Sequence, residues 1–433
     1  MRIVLSILLA AILLLSIAGC VQNLPVTTVT TGNDVPSSAT GTTTKPAVFD
    51  IDLTTGWTIA DVENANCAAF SDVGYYYQDS GLLTFLDTEN GISVVLCHKA
   101  GCKHDDYNCE AYTPNVRMMF YSDGYIYYDK LVREDPYSVH IFRRKADGTA
   151  EEKVSVLGQD YISPTVSLGI GDYIAADGYL YFVVCTYETI TLDDSSTMVM
   201  ERDGILLRMD LETRKQQEIL RKRDTLIRLF GAREDALLFY TQDKLPAEEI
   251  HEPDYFEKMK KLPARLQVWS ESYDGCMTLF EKPNKECTWI LGLQGTSFYY
   301  TDDNQYYTYD LATETHTALD WTEYYVLINE NYLLDQDGDT PDSEIIDFAK
   351  FIDLRTGQYV PSAYDDADMK MMNTTDRGCV IEIIYEGEPI PNGHGAYTIP
   401  RLRQIVAYVA FDALEDGLQE SDLLVISDEK FDT

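Results

Sequence analysis

Apolar and polar residues follow two different patterns along the 433-residue chain. Residues 3–17 form an almost unbroken apolar run, which only Ser6 and Ser16 interrupt. From about residue 70 onward, short aromatic and aliphatic runs alternate with polar positions between Asp, Gly and Asn turns. A period of two residues is typical of half-buried β-strands, and Asp-Gly is typical of hairpin turns. The pattern therefore predicts an N-terminal export signal followed by an all-β body.

The strand-like runs recur as about seven similar units. Each unit contains a tight turn, a short apolar run and a second run, which often ends in Asp-Leu-x-Thr. The turns lie at Gly74, Gly124, Gly178, Asp235, Gly295, Asn331 and Gly378, spaced 36 to 60 residues apart. Strand-rich units of roughly 40–50 residues indicate a β-propeller, because one blade cannot bury both of its faces alone. We therefore predict an all-β, β-propeller fold of about seven blades over residues 47–433. Six or eight blades remain open, and a sandwich pair or a solenoid is the alternative.

One segment departs from the strand pattern. Residues 246–261 read PAEEIHEPDYFEKMKK, which favours a short helix, and they interrupt the fourth unit. We predict a helical insertion in one blade loop, as a solvated decoration of the propeller.

The residues around the first apolar run determine how the N-terminus is interpreted. Arg2 precedes the run, and Ala18, Gly19 and Cys20 end it. A run of this length with small residues at its end is typical of a secretory signal, and it is short for a membrane helix. This ending resembles the lipobox of bacterial lipoproteins, in which the chain is cut before a lipidated cysteine. The resemblance implies a signal peptide over residues 1–19 and lipidation at Cys20. The alternative is an ordinary signal peptide with a chance cysteine.

Composition adds a tether and excludes one class of partner. Residues 20–46 are rich in Thr, Ser and Gly, so they predict a flexible tether that buries little apolar surface. The formal net charge is −38, with 72 acidic and 34 basic residues, which excludes nucleic acid as a partner. No second apolar run reaches the ~20 residues of a membrane helix. We therefore predict a monomer on the extracytoplasmic face of the cell membrane, attached through its lipid anchor only.

The strongest candidate site is a cysteine-rich segment between the first two units. Cys97, Cys102, His104 and Cys109 form the pattern C-x4-C-x-H-x4-C. Three thiols and an imidazole match the ligand set of a tetrahedral structural zinc site. The alternative is disulfides, because bridges persist outside the cell. Two bridges among Cys67, Cys97, Cys102 and Cys109, and one between Cys276 and Cys287, would pair these residues.

This segment also carries a family resemblance. Leu96, Cys97, Cys102, His104, Cys109, Ala111 and Tyr112 match a motif that ends a blade in uncharacterised β-propeller lipoproteins of anaerobic Gram-positive bacteria. The lipobox and the Asp-Gly-x-Leu-Tyr-Phe runs match as well. The resemblance covers nearly the whole chain. It implies localisation and fold, and no activity.

An acidic run in the sixth unit suggests a second ion. Asp335, Asp337 and Asp339 alternate as the oxygen ligands of a calcium loop do. However, Gly338 stands at the fourth position rather than the sixth, and Ile346 stands where a bidentate Glu belongs. A possible calcium site and a solvated acidic loop are therefore both open, and the departures favour the loop.

Three classes of function fit these features. The first is a surface binding module for an unidentified protein, peptide or glycan. The second is an extracellular carbohydrate-active enzyme, a lyase or hydrolase, although G-x-S-x-G, H-E-x-x-H and P-loop motifs do not occur in the sequence. The third is a structural role in the cell envelope. We favour the binding module.

Overall fold

The structure is a computed structural model that describes most of the chain from Trp57 to Phe431. The residues outside the description are 1–56, 60–67, 72, 105–107, 133–134, 163–165, 192–196, 247–248, 250–253, 284–289, 303–304, 320–324, 328–330, 336–349, 365–366, 375–376, 388–389, 392–396, 399 and 432–433. By its contacts the chain divides into two units, Met1–Val48 and Phe49–Thr433. Only the second unit contains described residues.

Seven antiparallel sheets follow one another along the second unit, and each supplies one blade of a β-propeller. Blade 1 contains β2 (Ala68–Ser71), β3 (Gly74–Asp79), β4 (Leu82–Asp87) and β5 (Ile92–Val95). Blade 2 contains β6 (Met119–Ser122), β7 (Tyr125–Val132), β8 (Asp135–Lys145) and β9 (Glu152–Leu157). Blade 3 contains β10 (Val166–Ala176), β11 (Tyr179–Thr191), β12 (Thr197–Asp210) and β13 (Gln216–Arg223). Blade 4 contains β14 (Thr225–Arg233), β15 (Ala236–Asp243), β16 (Pro263–Ser270) and β17 (Tyr273–Pro283).

The remaining blades continue the same order. Blade 5 contains β18 (Ile290–Gln294), β19 (Ser297–Asp302), β20 (Gln305–Asp310) and β21 (Thr315–Ala318). Blade 6 contains β22 (Tyr325–Leu327), β23 (Tyr332–Asp335), β24 (Lys350–Asp353) and β25 (Gln358–Tyr359). Blade 7 contains β26 (Asp368–Thr374), β27 (Gly378–Glu386), β30 (Arg401–Ala410) and β31 (Leu424–Lys430), with a small hairpin of β28 (Ile390–Pro391) and β29 (Tyr397–Thr398) inserted before β30. The predicted all-β propeller is confirmed, and the blade number is seven.

The turns that define the repeat join the first and second strands of each blade. In blade 2 this turn is Asp123-Gly124, with φ of 49° and 79°. In blade 3 it is Asp177-Gly178, with φ of 49° and 82°. Two successive positive φ values give a type I′ turn, whose twist matches that of the flanking strands. The other predicted turn residues lie at the same hairpin in their own blades. The spacing of the turns in the sequence therefore gave the correct blade count.

The Asp-Leu-x-Thr runs form the turns between third and fourth strands. In blade 3 the Asp210 carboxylate accepts the backbone N–H groups of Glu212 and Thr213, at 2.9 and 2.7 Å. In blade 5 Asp310 accepts the equivalent groups of the residues two and three positions on, at 3.0 and 2.7 Å. The next residue, Leu211 or Leu311, is buried. Each run therefore satisfies the turn backbone with its carboxylate and anchors the turn to the core with its leucine.

The core lies between the blades rather than inside one central volume. Separate clusters of buried side chains join blades 1 and 2, 2 and 3, 3 and 4, 4 and 5, and 6 and 7. A sixth cluster joins blade 7 to blade 1 through Tyr75, Tyr77, Leu86, Val380 and Tyr408. All four strands of blade 1 come from the N-terminal part of the second unit, and all four strands of blade 7 come from its C-terminal part. The ring is therefore closed by side-chain packing between two complete blades.

A short N-terminal strand lies inside the ring. Strand β1 (Thr58–Ile59) pairs antiparallel with β14, the innermost strand of blade 4. Thr58 lies opposite Ala232 and Ile59 opposite Gly231, so the preceding Trp57 lies toward the β14–β15 turn. The chain thus pairs with blade 4 before it builds blade 1.

The predicted helical insertion lies where the sequence indicates. Helix α1 (Tyr255–Met259) stands between β15 and β16 of blade 4, and its five residues are a shorter span than residues 246–261. Ion pairs of Lys258 with Asp254 and of Lys260 with Glu257 lie on its surface, at 3.2 and 2.9 Å. The helix decorates the blade without adding to the core.

Several predicted segments lie outside the described residues. They are the signal peptide over 1–19, Cys20 and the tether over 20–46, together with Cys67, Cys287, Asp337 and Asp339. None of the helices that the structure describes is both long and apolar enough to span a membrane.

Candidate metal centre

The four predicted metal ligands lie on the connection from blade 1 to blade 2. Backbone hydrogen bonds hold both ends of this connection against blade 1. Leu96 N–H donates to Leu83 O at 3.0 Å, and Leu83 N–H donates to Ala111 O at 2.8 Å. Thr113 N–H donates to Gly81 O at 2.7 Å. The intervening residues are therefore a loop on a fixed base.

Local backbone chemistry folds this loop back on itself. Gly101 has φ of 72°, and His104 has φ of 57°, in the left-handed region that most residues avoid. Cys102 N–H donates to Lys99 O at 3.1 Å and closes the first turn. These two reversals bring His104 and Cys102 beside Cys97 and Cys109.

The ligand atoms of Cys97, Cys102, His104 and Cys109 all lie within 4.8 Å of one another. The Nδ1 atom of His104 is 3.4 Å from the Sγ atom of Cys109. Ligand atoms on the corners of a tetrahedron with metal–ligand bonds of 2.0–2.3 Å are separated by about 3.3–3.8 Å. The cluster is therefore able to hold a metal ion after only small movements of its side chains.

The backbone around the cluster favours thiolate sulfur. The backbone N–H of Lys99 lowers the pKa of the Cys97 thiol, and the N–H of Ala111 lowers that of the Cys109 thiol, each from two residues further on. Burial raises the pKa of the Cys97 thiol, but the N–H groups of Lys99 and Glu110 outweigh it, so its pKa lies below the usual value. Hydrogen bonds to ligand sulfur are the outer interactions that metal sites commonly use.

The thiol of Cys109 has a raised pKa, in contrast to that of Cys97, because Cys109 is the most buried of the four ligands. Burial raises the pKa of its thiol to about 11; the Ala111 N–H lowers this pKa, and the neighbouring thiols of Cys97 and Cys102 raise it. Three thiols this close repel one another as thiolates. A bound cation would relieve that repulsion, because metal binding displaces thiol protons.

The thiols in the described part of the chain are free. These cysteines are Cys97, Cys102, Cys109, Cys185, Cys276 and Cys379. The alternative of disulfides within the cluster is therefore not the arrangement seen here. The thiols of Cys185, Cys276 and Cys379 lie outside the cluster, and burial raises the pKa of each, to about 12, 11 and 12.

A polar cleft of about 890 Å³ adjoins the cluster, and sequence reasoning did not find it. Its walls come from the connection and from blade 2, with Cys109 as a shared residue. At its base, Arg144 donates to Glu151 at 2.6 Å and to the hydroxyl of Tyr128 at 2.7 Å. Lys130 donates to the same carboxylate at 3.0 Å. The only sequence signal was the basic run at residues 143–145, which gives no sign of where its side chains point.

Hydrogen bonds and burial determine the protonation states of Glu151 and Tyr128 at this base. Burial opposes ionisation of Glu151, but hydrogen bonds from Tyr128 and Arg144 and the charge of Arg144 outweigh it, and its pKa falls to about 2. Burial raises the pKa of the Tyr128 hydroxyl well above its usual range. Glu151 is thus a carboxylate and Tyr128 a neutral hydroxyl throughout the physiological range.

The predicted calcium site receives no support from the described residues. Asp335 ends β23 and pairs with Lys350, whereas Asp337 and Asp339 lie outside the description. The Cys97, Cys102, His104 and Cys109 cluster is the one group among the described residues that has metal-binding geometry.

Comparisons with known proteins extend only to the fold. No family model and no curated protein matches the chain. Among solved structures, a puromycin hydrolase matches with a TM-score of 0.49 and 13% identity, over 88% of this chain and 55% of that one. An oligogalacturonate lyase from Vibrio parahaemolyticus matches with a TM-score of 0.43 and 11% identity, over 86% and 93%. Porphyromonas gingivalis dipeptidyl peptidase 4 matches with a TM-score of 0.43 and 12% identity, over 83% of this chain and 49% of that one. The chain thus spans about half the length of the puromycin hydrolase.

Proposed function

We propose that this chain is a lipoprotein of the extracytoplasmic membrane surface whose propeller binds a ligand, and that a structural zinc ion stabilises its binding surface. The observation that carries the proposal is the Cys97, Cys102, His104 and Cys109 cluster, whose four ligand atoms all lie within 4.8 Å of one another. A catalytic zinc keeps one position open for water or substrate, whereas a structural zinc has all four positions filled by protein. The cluster is of the second kind.

Zinc is the ion that fits these donors best. Thiolate and imidazole ligands suit Zn²⁺. The N–H groups of Lys99 and Ala111 lower the pKa of the Cys97 and Cys109 thiols, so they favour the thiolate form that zinc binds. When bound, the ion would join the two ends of the loop between blades 1 and 2. Cys97 and Cys109 would hold the ends, and Cys102 and His104 would hold the reversal between them.

Membrane attachment rests on the N-terminal sequence. The apolar run over residues 3–17 and the Ala18-Gly19-Cys20 ending support cleavage before Cys20 and lipidation of its thiol. Several acyl chains on one residue give stable attachment, since each buried CH₂ contributes about 0.8 kcal/mol.

The decisive measurement is the intact mass of the purified mature chain, first under native conditions and then after denaturation. We expect one zinc mass that disappears on denaturation and reduced thiols at Cys97, Cys102 and Cys109. We also expect an acylated N-terminal peptide beginning at Cys20. A denatured mass short by two hydrogens per bridge, without metal, would contradict the zinc site. An unmodified Cys20 would contradict the anchor.

Binding is separated from catalysis by incubating the chain with polysaccharides and peptides and analysing the products. The proposal expects retention of a ligand without turnover. Sustained cleavage of any polysaccharide in the panel would contradict it and favour the carbohydrate-active enzyme.

A further inference from the structure

The cleft beside the metal cluster has the size and the walls of a binding site. Its volume of about 890 Å³ lies within the range of roughly 300–1,000 Å³ that is typical of ligand pockets. One wall is the loop that contains Cys109, Glu110 and Tyr112, and the other is blade 2. The two walls meet where Gly148 packs on Leu96, so closely that a Cβ at Gly148 would lie 2.8 Å from the Cβ of Leu96. The cleft is thus bounded by a loop fixed on a rigid sheet, which is where binding residues commonly lie.

The base of the cleft is held in one arrangement. The guanidinium of Arg144 is almost wholly buried and is shared between Glu151 and Tyr128. Lys130 approaches both oxygens of Glu151, at 3.0 and 3.2 Å. A base with this many internal hydrogen bonds presents fixed donors and acceptors, and fixed groups lower the cost of ordering on binding.

Two lining residues lie in the left-handed region, which asparagine adopts readily and alanine rarely does. Asn115 has φ of 60° and Ala150 has φ of 58°. Alanine gains nothing from the left-handed region, so its conformation there is imposed by the surroundings. Strain of this kind is concentrated at functional sites.

The charge balance of this region favours an uncharged ligand over a strongly charged one. Residues 96–157 contain 9 basic and 10 acidic residues, whereas the rest of the chain contains 25 basic and 62 acidic ones. The lining of the cleft includes the cations Lys130 and Arg144 and the carboxylates Glu110 and Glu151. An anion would meet the carboxylates and a cation would meet Lys130 and Arg144. A hydroxyl group both donates and accepts, so it suits such a mixture.

We propose that this cleft binds a neutral oligosaccharide, with Lys130, Asn115 and Glu110 hydrogen-bonding its hydroxyl groups and Tyr112 contributing an aromatic wall. The inference rests on the proposed binding function and names its ligand class and location. The metal cluster would hold the loop wall in place, because Cys109 both belongs to the cluster and lines the cleft.

The test is calorimetric titration of the zinc-loaded full chain in detergent with chitohexaose, cellohexaose, mannohexaose and maltohexaose. The sharpest variant is Asn115→Gly, because glycine accepts the positive φ and only the amide is lost. Glu314→Gly is the matched control, since Glu314 also has a positive φ, of 54°, in the third-to-fourth turn of blade 5. A second pair is Lys130→Met and Lys282→Met; Lys282 lies over the ring of Tyr307 on blade 5.

We expect one hexasaccharide to bind, with affinity at least tenfold weaker in Asn115→Gly and Lys130→Met and unchanged in both controls. Removal of zinc should weaken binding to a similar degree while the circular dichroism of the sheets persists. Unchanged affinity in both cleft variants would overturn the inference and leave the binding function intact. Binding of a degenerate hexapeptide library without binding of any hexasaccharide would also overturn the oligosaccharide inference and leave the binding function intact. Hydrolysis of a hexasaccharide would contradict the proposed function itself.

Discussion

At the scale of single residues, the metal cluster illustrates what spacing alone reveals. The sequence separations of Cys97, Cys102, His104 and Cys109 pointed to a four-ligand site, and the structure brings their ligand atoms within 4.8 Å. The positive φ of His104 was not foreseeable from the ligand spacing, although histidine is among the residues enriched in that region. It accompanies the approach of the imidazole Nδ1 to the Cys109 sulfur, at 3.4 Å.

Replacing one ligand should remove the metal without destroying the propeller. In Cys102→Ser we expect zinc affinity to fall at least tenfold, because one of the three thiolate ligands is lost while the blade cores remain. The control is Cys276→Ser, which changes a single half-buried thiol in blade 4. Zinc content by elemental analysis and competition with a metal indicator measure the difference. Equal zinc retention in both variants would refute the site.

Glu151 should make part of the stability depend on pH. Its pKa is lowered to about 2 in the folded chain, against an ordinary value of about 4.3 in the unfolded one. A carboxyl with a depressed pKa contributes stability that is complete above about pH 4.3 and is lost as pH falls toward 2. Glu151→Gln should therefore lower the free energy of unfolding at pH 7 by about 2–3 kcal/mol. The substitution should also flatten the decline of the free energy of unfolding between about pH 4.3 and 2.

Urea unfolding at several pH values measures this effect, with Glu314→Gln as an exposed control that should leave the profile unchanged. A Glu151→Gln variant with the wild-type slope would show that the carboxylate gains no net stabilisation from Arg144.

At the scale of elements, turn chemistry carried most of the fold prediction. The Asp-Gly pairs and the Asp-Leu-x-Thr runs are local signals, since each satisfies backbone groups within three residues. They therefore predict the number of blades without any long-range contact. Strand β1 gave no such signal, because its partner β14 lies more than 150 residues away and a two-residue strand has no periodicity.

Two glycines at equivalent hairpins should respond differently to alanine. Gly178 has φ of 82° and open space around an added Cβ, so Gly178→Ala should cost about 1–2 kcal/mol through backbone strain alone. Gly378 has no such φ, but an added Cβ would lie 2.4 Å from Val409 O and 2.5 Å from the Tyr408 hydroxyl. Gly378→Ala should cost more, about 3 kcal/mol, because β27 must move away from β30. Thermal unfolding of both variants gives the ranking, and the reverse order would contradict it.

At the scale of the whole molecule, the ring is closed by one interface of side chains. Blades 1 and 7 meet through Tyr75, Val380 and Tyr408, and each blade is made from its own end of the chain. The repeats in the sequence could predict the number of blades but not this closure. Whether the two chain ends share a blade depends on packing between residues more than 300 positions apart.

This interface should be the first part of the ring to open. Tyr408→Ala removes a buried ring from it and should destabilise the chain by about 3–4 kcal/mol. Hydrogen exchange should then accelerate in β3 and β27 before other blades. Tyr309→Ala, in the core between blades 4 and 5, is the matched control and should not open that interface. Uniform acceleration in both variants would show that the ring unfolds as one cooperative unit.

The position of strand β1 has a mechanical consequence. Trp57, which precedes β1, lies beside the β14–β15 turn, and its indole is 4.9 Å from the guanidinium of Arg233. If the proposed lipid anchor holds the N-terminus at a membrane, a force on the chain before Trp57 would act on the pairing of β1 with β14. That two-residue pairing would then break before the side-chain packing between blades 1 and 7 is disturbed.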